Sequence, residues 1–248
     1  MNSASYQDGD AELTELRLLH LADSALPIGA LAHSFGLESL IAAELLGVRD
    51  LPEFLRGSLE EAGFLEAVFC REGFRLGSGP RLKEPPEHEE AFTRNWLALN
   101  ERFSAMKLAR ESRNGSGSLG RNFLAAVSGL GDFAVVKQAL RASKQTQGLI
   151  HHGVAFGLGC AVLGFKEEDR AVLAFLHSWT ASMISACQRL LPFGQTAATK
   201  TLWELKPPMV ETMRRSAKSS AEDAFCFMPL LDWGAMEHPA LSTRLFIS

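Results

Sequence analysis

Through most of this chain the apolar side chains recur at steps of three and four, and no sustained run alternates with a period of two. That rhythm limits the fold more than any other feature, because a 3.6-residue period buries one face of a helix whereas a half-buried strand needs alternation. Between Ala171 and Leu191, the residues Leu176, Trp179, Met183, Cys187 and Leu190 form one stripe, widened by Val172 and Ile184, which predicts a central helix. Leu37, Leu40, Ile41 and Leu45 form another, with Gly47 as its stop signal, and Phe133, Val136 and Leu140 mark a third that ends near Gly148. No asparagine-glycine hairpin joins two alternating runs. The expectation is an all-α fold, a single-domain bundle of about nine or ten helices.

Composition narrows the class. With 46% hydrophobic and 22% charged residues over 248 positions, the chain reads as a soluble globular protein with a sizeable core. A net charge of −4 offers no basic face to neutralise phosphates, so nucleic acid is not an expected partner, nor is an acidic membrane surface. The longest apolar stretch, Gly153 to Phe165, has 13 residues where a spanning helix needs ~20. Its Gly153, Gly157 and Gly164 predict close packing on another helix, which would offset a helical cost of about 1 kcal/mol per glycine. Cys70, Cys160, Cys187 and Cys226 are widely spaced, and three of them sit in apolar helical runs, which predicts reduced, buried thiols and a cytoplasmic protein. Residues 1–10 are polar and acidic, unlike a secretory signal, and are expected to fray. Two stretches look like surface connections: 77–90, rich in glycine, proline and charge before a helix opened by Glu87, Glu89 and Glu90, and RNGSGSLG at 113–120, either a loop or a weakened helix. Neither divides halves of different composition, and there is no repeat of about 20 to 50 residues, so one domain is expected over 1–248.

Sites of known chemistry are scarce. His151 and His152 are adjacent, so on a helix their side chains diverge by about 100° and cannot chelate one ion as an i, i+4 pair can; a packing or helix-end role is favoured. For His33, in the first corner, a hydrogen-bonded structural role is favoured over capping the following helix or lining an internal cavity. The stretch Gly194 to Thr201 lacks the glycine before Lys200 and the leading strand that a phosphate-binding loop requires. No G-x-S-x-G elbow is present, and carboxylate pairs such as Glu60/Glu61 and Glu167/Glu168 fall where solvated helix faces are expected.

Three islands stand out instead. LADSALPIGALAHSFGLESL, from Leu21 to Leu40, breaks two apolar helical segments sharply at Pro27 and Gly29. RLLPFGQT at 189–196 stops an apolar helix with Pro192 and Gly194 and places Gln195 next. The segment MPLLDWGAMEHPALSTRLFIS mixes large apolar residues with Pro229 and Pro239, and Arg244, Leu245 and Phe246 are a cation and two apolar anchors of the kind that make interface hot spots.

In this order the three islands resemble the urease accessory protein F family (UreF). Leu26, Pro27, Gly29, Ser34, Gly36, Leu37 and Glu38 match its first motif, and Arg189, Leu190, Pro192, Gly194 and Gln195 its second. Pro229, Asp232, Met236, His238, Arg244, Leu245, Phe246 and Ser248 match the ending. The chain departs from the family pattern at Ala30, Leu31 and Pro239. The resemblance implies a helical, non-enzymatic homodimer without a cofactor. It also implies binding to the urease accessory D/H subunit and recruitment of the G-subunit GTPase, in an assembly that delivers nickel to apo-urease. On this reading the partner-binding residues are Pro229, Asp232, His238, Arg244, Leu245 and Phe246, in a tail over about 226–248 that is mobile before binding. A contrasting expectation is an all-helical small-molecule enzyme with a cavity lined by His33, Cys160 and Trp179.

Overall fold

The computed structural model of the chain describes residues 11–23, 26–78 and 86–248, so the expected fraying at 1–10 and residues 79–85 of the 77–90 connection lie outside the described residues. Among the described residues the fold is all-α, with no strand. The helical segments are α1 (Ala11–Leu21), α2 (Leu37–Ala42), α3 (Leu51–Ser58), α4 (Phe64–Ser78), α5 (Pro86–Met106) and α6 (Arg110–Leu130), followed by α7 (Ala134–Thr146), α8 (His152–Val162), α9 (Glu168–Leu190), α10 (Gln195–Glu204), α11 (Lys206–Ser216) and α12 (Pro229–Glu237). A π turn at Leu59–Gly63 carries α3 into α4, and only Leu205 separates α10 from α11, so these segments form ten continuous runs.

α8 is the innermost helix. It is apolar all round and buried from His152 to Cys160, as a helix without a solvent face must be. The approach to α4 is backbone to backbone: a Cβ on Gly157 would lie 1.8 Å from the Cys70 carbonyl oxygen, and one on Gly73 2.2 Å from that of Val154. The glycines that weaken the isolated helix are what let these two elements touch. α9 covers another side with the expected stripe, Val172, Leu176, Met183, Ile184 and Cys187 being buried and Trp179 and Leu190 packed against the same core. Arg71 on α4 is 1% exposed, and its charge is met by Glu168 at 2.6 Å, Asp169 at 2.7 Å and the Met213 carbonyl at 3.2 Å, which clasps α4 to α9 and α11. A guanidinium buried without such partners would be strongly destabilising. Cys70, Cys160 and Cys187 are buried free thiols, and Cys226 is half-buried.

Two readings change. Of the two alternatives for RNGSGSLG the helix holds, but not as a surface connection: the segment lies inside α6, with Gly115, Ser116, Gly117, Leu119 and Gly120 buried. Its glycines sit where other backbone and side chains press on the helix, and a Cβ on Gly120 would come within 2.0 Å of the Ile150 carbonyl oxygen. The helix after the first corner ends at Ala42 rather than near Gly47, because Glu44 takes a left-handed conformation (φ 57°) and the Leu45 amide bonds back to the Leu40 carbonyl at 2.9 Å. This Schellman closure turns Leu45 outward and gives its buried place to Leu46.

Candidate functional site

The first corner is built from two left-handed turns. Leu26 is buried and Pro27 exposed; Gly29 (φ 88°) then starts a short 3-10 turn at Ala30–Ala32. Phe35 (φ 51°) and Gly36 (φ 97°) reverse the chain into α2. Gly36 is required twice over, by its backbone conformation and by space: a Cβ there would lie 2.6 Å from the Leu231 carbonyl oxygen and 2.7 Å from the Ala235 amide nitrogen. From the other side, a Cβ on Gly234 would lie 2.5 Å from the Gly36 oxygen. α2 and α12 therefore cross glycine on glycine, and the corner becomes the seat of the tail.

Glu38, in the first turn of α2, holds that tail. Its carboxylate is buried and accepts hydrogen bonds from the Leu245 amide at 2.6 Å, from His238 Nε2 at 2.9 Å and from the Phe246 amide at 3.1 Å. Burial works to raise its pKa, but these three donors outweigh burial and hold the carboxyl below its usual range. His238 is fully buried, and its Nδ1 lies 2.6 Å from Glu111 Oε2, a close contact outside hydrogen-bond alignment. Arg244 is exposed and reaches Glu111 Oε1 at 3.8 Å.

From Leu245 onward the side chains of the tail point alternately out and in: Leu245 and Ile247 exposed, Phe246 and Ser248 buried. The Arg189 guanidinium lies over the Phe246 ring, 4.3 Å from its centroid, and donates to the Leu31 carbonyl at 2.5 Å. The Ile247 amide donates to the Ala32 carbonyl at 2.8 Å, and the Ser248 main-chain oxygen accepts from the amides of Ser34 and, at 3.2 Å, Phe35. Ser248 Oγ lies 2.6 Å from His33 Nδ1. Burial keeps His33 below its ordinary pKa and hence neutral.

The three islands thus meet at one place, though not with every residue. Glu38, Gly36, Ser34, Arg189, His238, Phe246 and Ser248 share the tail seat. Pro192, Gly194 and Gln195 are exposed beyond the end of α9, where the Gln195 side chain accepts from Gln188 at 2.8 Å. Pro229 opens α12, and Asp232 is half-buried with its pKa raised by desolvation. Glu111, Gly115 and Gly234 complete the seat. Sequence reading passes over them because an acid in a first helical turn and lone glycines carry no local sign of a contact with a distant segment. The expected mobile tail is, in the isolated chain, docked on its own domain.

A cavity of about 90 Å³ lies behind the seat, lined by His33, Ser34, Glu66, His152 and Trp179 among others. Cys160 does not line it; that thiol is buried in α8, and desolvation pushes its pKa well up. The volume is far below the roughly 300–1,000 Å³ of small-molecule sites. His151 stands at the N-cap position of α8 without a side-chain cap bond; its Nε2 lies 2.7 Å from Ser104 Oγ and its Nδ1 3.1 Å from Ser116 Oγ, so it is a packed, hydrogen-bonded residue. Burial lowers His151 to about 3 and His152 to about 4, so both rings are neutral at physiological pH. Among the described residues no group of three or more His, Cys, Asp or Glu is disposed to hold a metal ion, and no helix is long and apolar enough to cross a membrane.

The UreF family model matches residues 47–206. The chain is 30% identical over 243 residues to a urease accessory protein UreF of Synechocystis, covering 94% of this chain and 98% of that protein. It is 29% identical over 233 residues to one of Corynebacterium glutamicum, covering 93% and 96%. A third, from Haemophilus influenzae, is 28% identical over 246 residues, covering 95% and 97%. With a family model spanning more than half its length and relatives aligned almost end to end, the chain belongs to the UreF family of urease accessory proteins.

Proposed function

We propose that this protein is a non-catalytic scaffold of urease maturation, which binds the D/H accessory subunit through its tail and recruits the G-subunit GTPase so that nickel reaches apo-urease. The observation that carries this reading is the tail seat itself. Three separated sequence islands are spent on holding residues 238–248 in one shape, while the outward side carries exposed Leu245 and Ile247, with Phe225, Phe227, Leu230 and Met236 exposed nearby in sequence. Exposed large apolar and aromatic residues fastened to a rigid support are suited to partner docking. A scaffold that binds one nucleotide state of a GTPase better than another shifts that equilibrium by the difference in affinities, with no catalytic group of its own. On this proposal the chain acts in the cytoplasm as a single domain and as a homodimer.

Arg244 provides the test. It is exposed and reaches Glu111 only at 3.8 Å, so its removal should cost the fold little, because an exposed pair is worth at most about 1 kcal/mol. Co-expression with the D/H subunit and the GTPase should capture both on the native chain, and Arg244→Ala should lose the D/H subunit and with it the GTPase at an almost unchanged melting temperature. Equal capture by the variant would remove the tail from the interface. Light scattering on the purified chain addresses the dimer; a monomer across micromolar concentrations would contradict it.

A further inference from the structure

The fold leaves the outer side of residues 222–237 open. Phe225 and Phe227, each 73% exposed, are the two most exposed large apolar side chains among the described residues, and they flank Cys226, which turns inward to line the cavity. α12 continues the division. Its Gly234 and Ala235 are buried against Gly36, whereas Leu230, Trp233 and Met236 are exposed. Five exposed large apolar residues thus fall within residues 225–236, a concentration that marks an interaction surface rather than single residues scattered over a surface.

The strip has a firm base. The Phe227 amide donates to Glu61 Oε2 at 3.2 Å, in the π turn of Leu59–Gly63. That turn is braced in its own right from α11, where Arg215 donates to the Glu60 carbonyl and its guanidinium lies 4.0 Å from the centroid of the Phe64 ring. Single π turns inside helices frequently sit at functional sites. Here the turn carries the carboxylate that receives the strip.

The rim is of one sign. Between Lys218 and Arg244 the chain carries Glu222, Asp223, Asp232 and Glu237 and neither lysine nor arginine. Glu222, Asp223 and Glu237 are exposed, as is Glu60 beside Glu61. Two cations near the strip are already engaged, Arg215 as described and Lys107 by Glu66 at 2.6 Å. Large apolar anchors supply the buried centre of an interface, and charges of one sign around them select the partner and speed its encounter. We infer that residues 225–237 dock a protein surface whose apolar pockets are ringed by lysine or arginine, and that the D/H accessory subunit presents it. This rests on the reading that the D/H subunit meets the tail. The acids raise the association rate by an amount that salt screens, and the aromatics slow dissociation.

The test is binding kinetics of the purified D/H subunit on three full-length chains: native, Glu222→Lys with Glu237→Lys, and Phe225→Ser with Phe227→Ser. All four side chains are exposed, so the melting temperatures should be nearly equal. At about 50 mM salt the charge-reversed chain should associate roughly tenfold more slowly than the native one, and at about 500 mM the two should agree within about threefold. The serine chain should associate at a near-native rate and dissociate roughly tenfold faster. Native kinetics in both variants would overturn the inference, and loss of binding in Arg244→Ala would then show that the tail reading survives it. A native association rate that does not fall with salt would equally remove the basic rim from the partner. No binding by the native chain would overturn the inference and the reading together.

Discussion

Glu38 and His238 illustrate what single residues contribute here. The carboxylate has two oxygens for three donors, so an amide at position 38 would turn an NH₂ toward an N–H that needs an acceptor. Leaving a buried donor unsatisfied costs about 1–3 kcal/mol, enough to loosen a terminal segment without unfolding the body. His151 and His152 act in the opposite sense, as bases that burial keeps neutral. Their folded pKa values, about 3 and about 4, lie below the ordinary 6.5, so the unfolded chain binds more protons between these limits and stability must fall as pH drops through that window. At pH 5 the linkage amounts to roughly 2 kcal/mol for each ring. Denaturant unfolding at pH 7 and pH 5 should show the loss, and His152→Phe should remove part of it. A stability that is flat between those pH values would mean that the two rings are hydrated or already charged.

At the level of elements, glycine decides where helices can touch. Gly157→Ala would drive a methyl to 1.8 Å from the Cys70 carbonyl oxygen, a backbone atom that cannot yield without separating α4 from α8. Gly129, near the exposed end of α6, has nothing within 4 Å of an added Cβ. Thermal unfolding should therefore separate two chemically identical changes: Gly157→Ala destabilising by about 2 kcal/mol or more through overpacking, Gly129→Ala neutral or stabilising by up to about 1 kcal/mol through helix propensity. Equal melting temperatures would show that α8 can shift at no cost. The same contrast explains what the sequence could reveal. The stripe on α9 announced itself through its period and α8 through its apolar run, and Gly153 and Gly157 announced close packing; Gly164, expected to pack in the same way, instead lies past the end of α8 in a left-handed conformation (φ 89°) with open space beside it. The glycines of 113–120 misled because a tight helical contact and a flexible connection use the same residue, and only the neighbours, Phe35, Ile150 and Ser248, tell them apart.

Across the whole molecule, many of the residues forming the tail seat could be named from their motifs, but Glu111, Gly115 and Gly234 could not, nor could the arrangement. Nothing local in Arg189 says that it covers Phe246, and nothing in Glu111 says that it faces His238; both pairings exist only once α2, α6, α9 and α12 have assembled. One contiguous apolar cluster runs from Leu21 to Phe246 and draws on every helix from α1 to α11, so the helical body should unfold as one cooperative unit. The last residues, 245–248, join that cluster through Phe246 alone and are held besides by hydrogen bonds to Glu38 and to residues 32–35, which places them at the low-stability end of the structure. Native-state hydrogen exchange should accordingly resolve two tiers. The amides of Leu245, Phe246 and Ile247 should exchange through a local opening well below the global free energy, and those of α8 only through global unfolding. Near- and far-ultraviolet circular dichroism should still give coincident melting curves, because the few residues that open early are not helical. If the tail amides were as protected as those of α8, the tail would be an integral part of the cooperative core rather than a separate tier of lower stability.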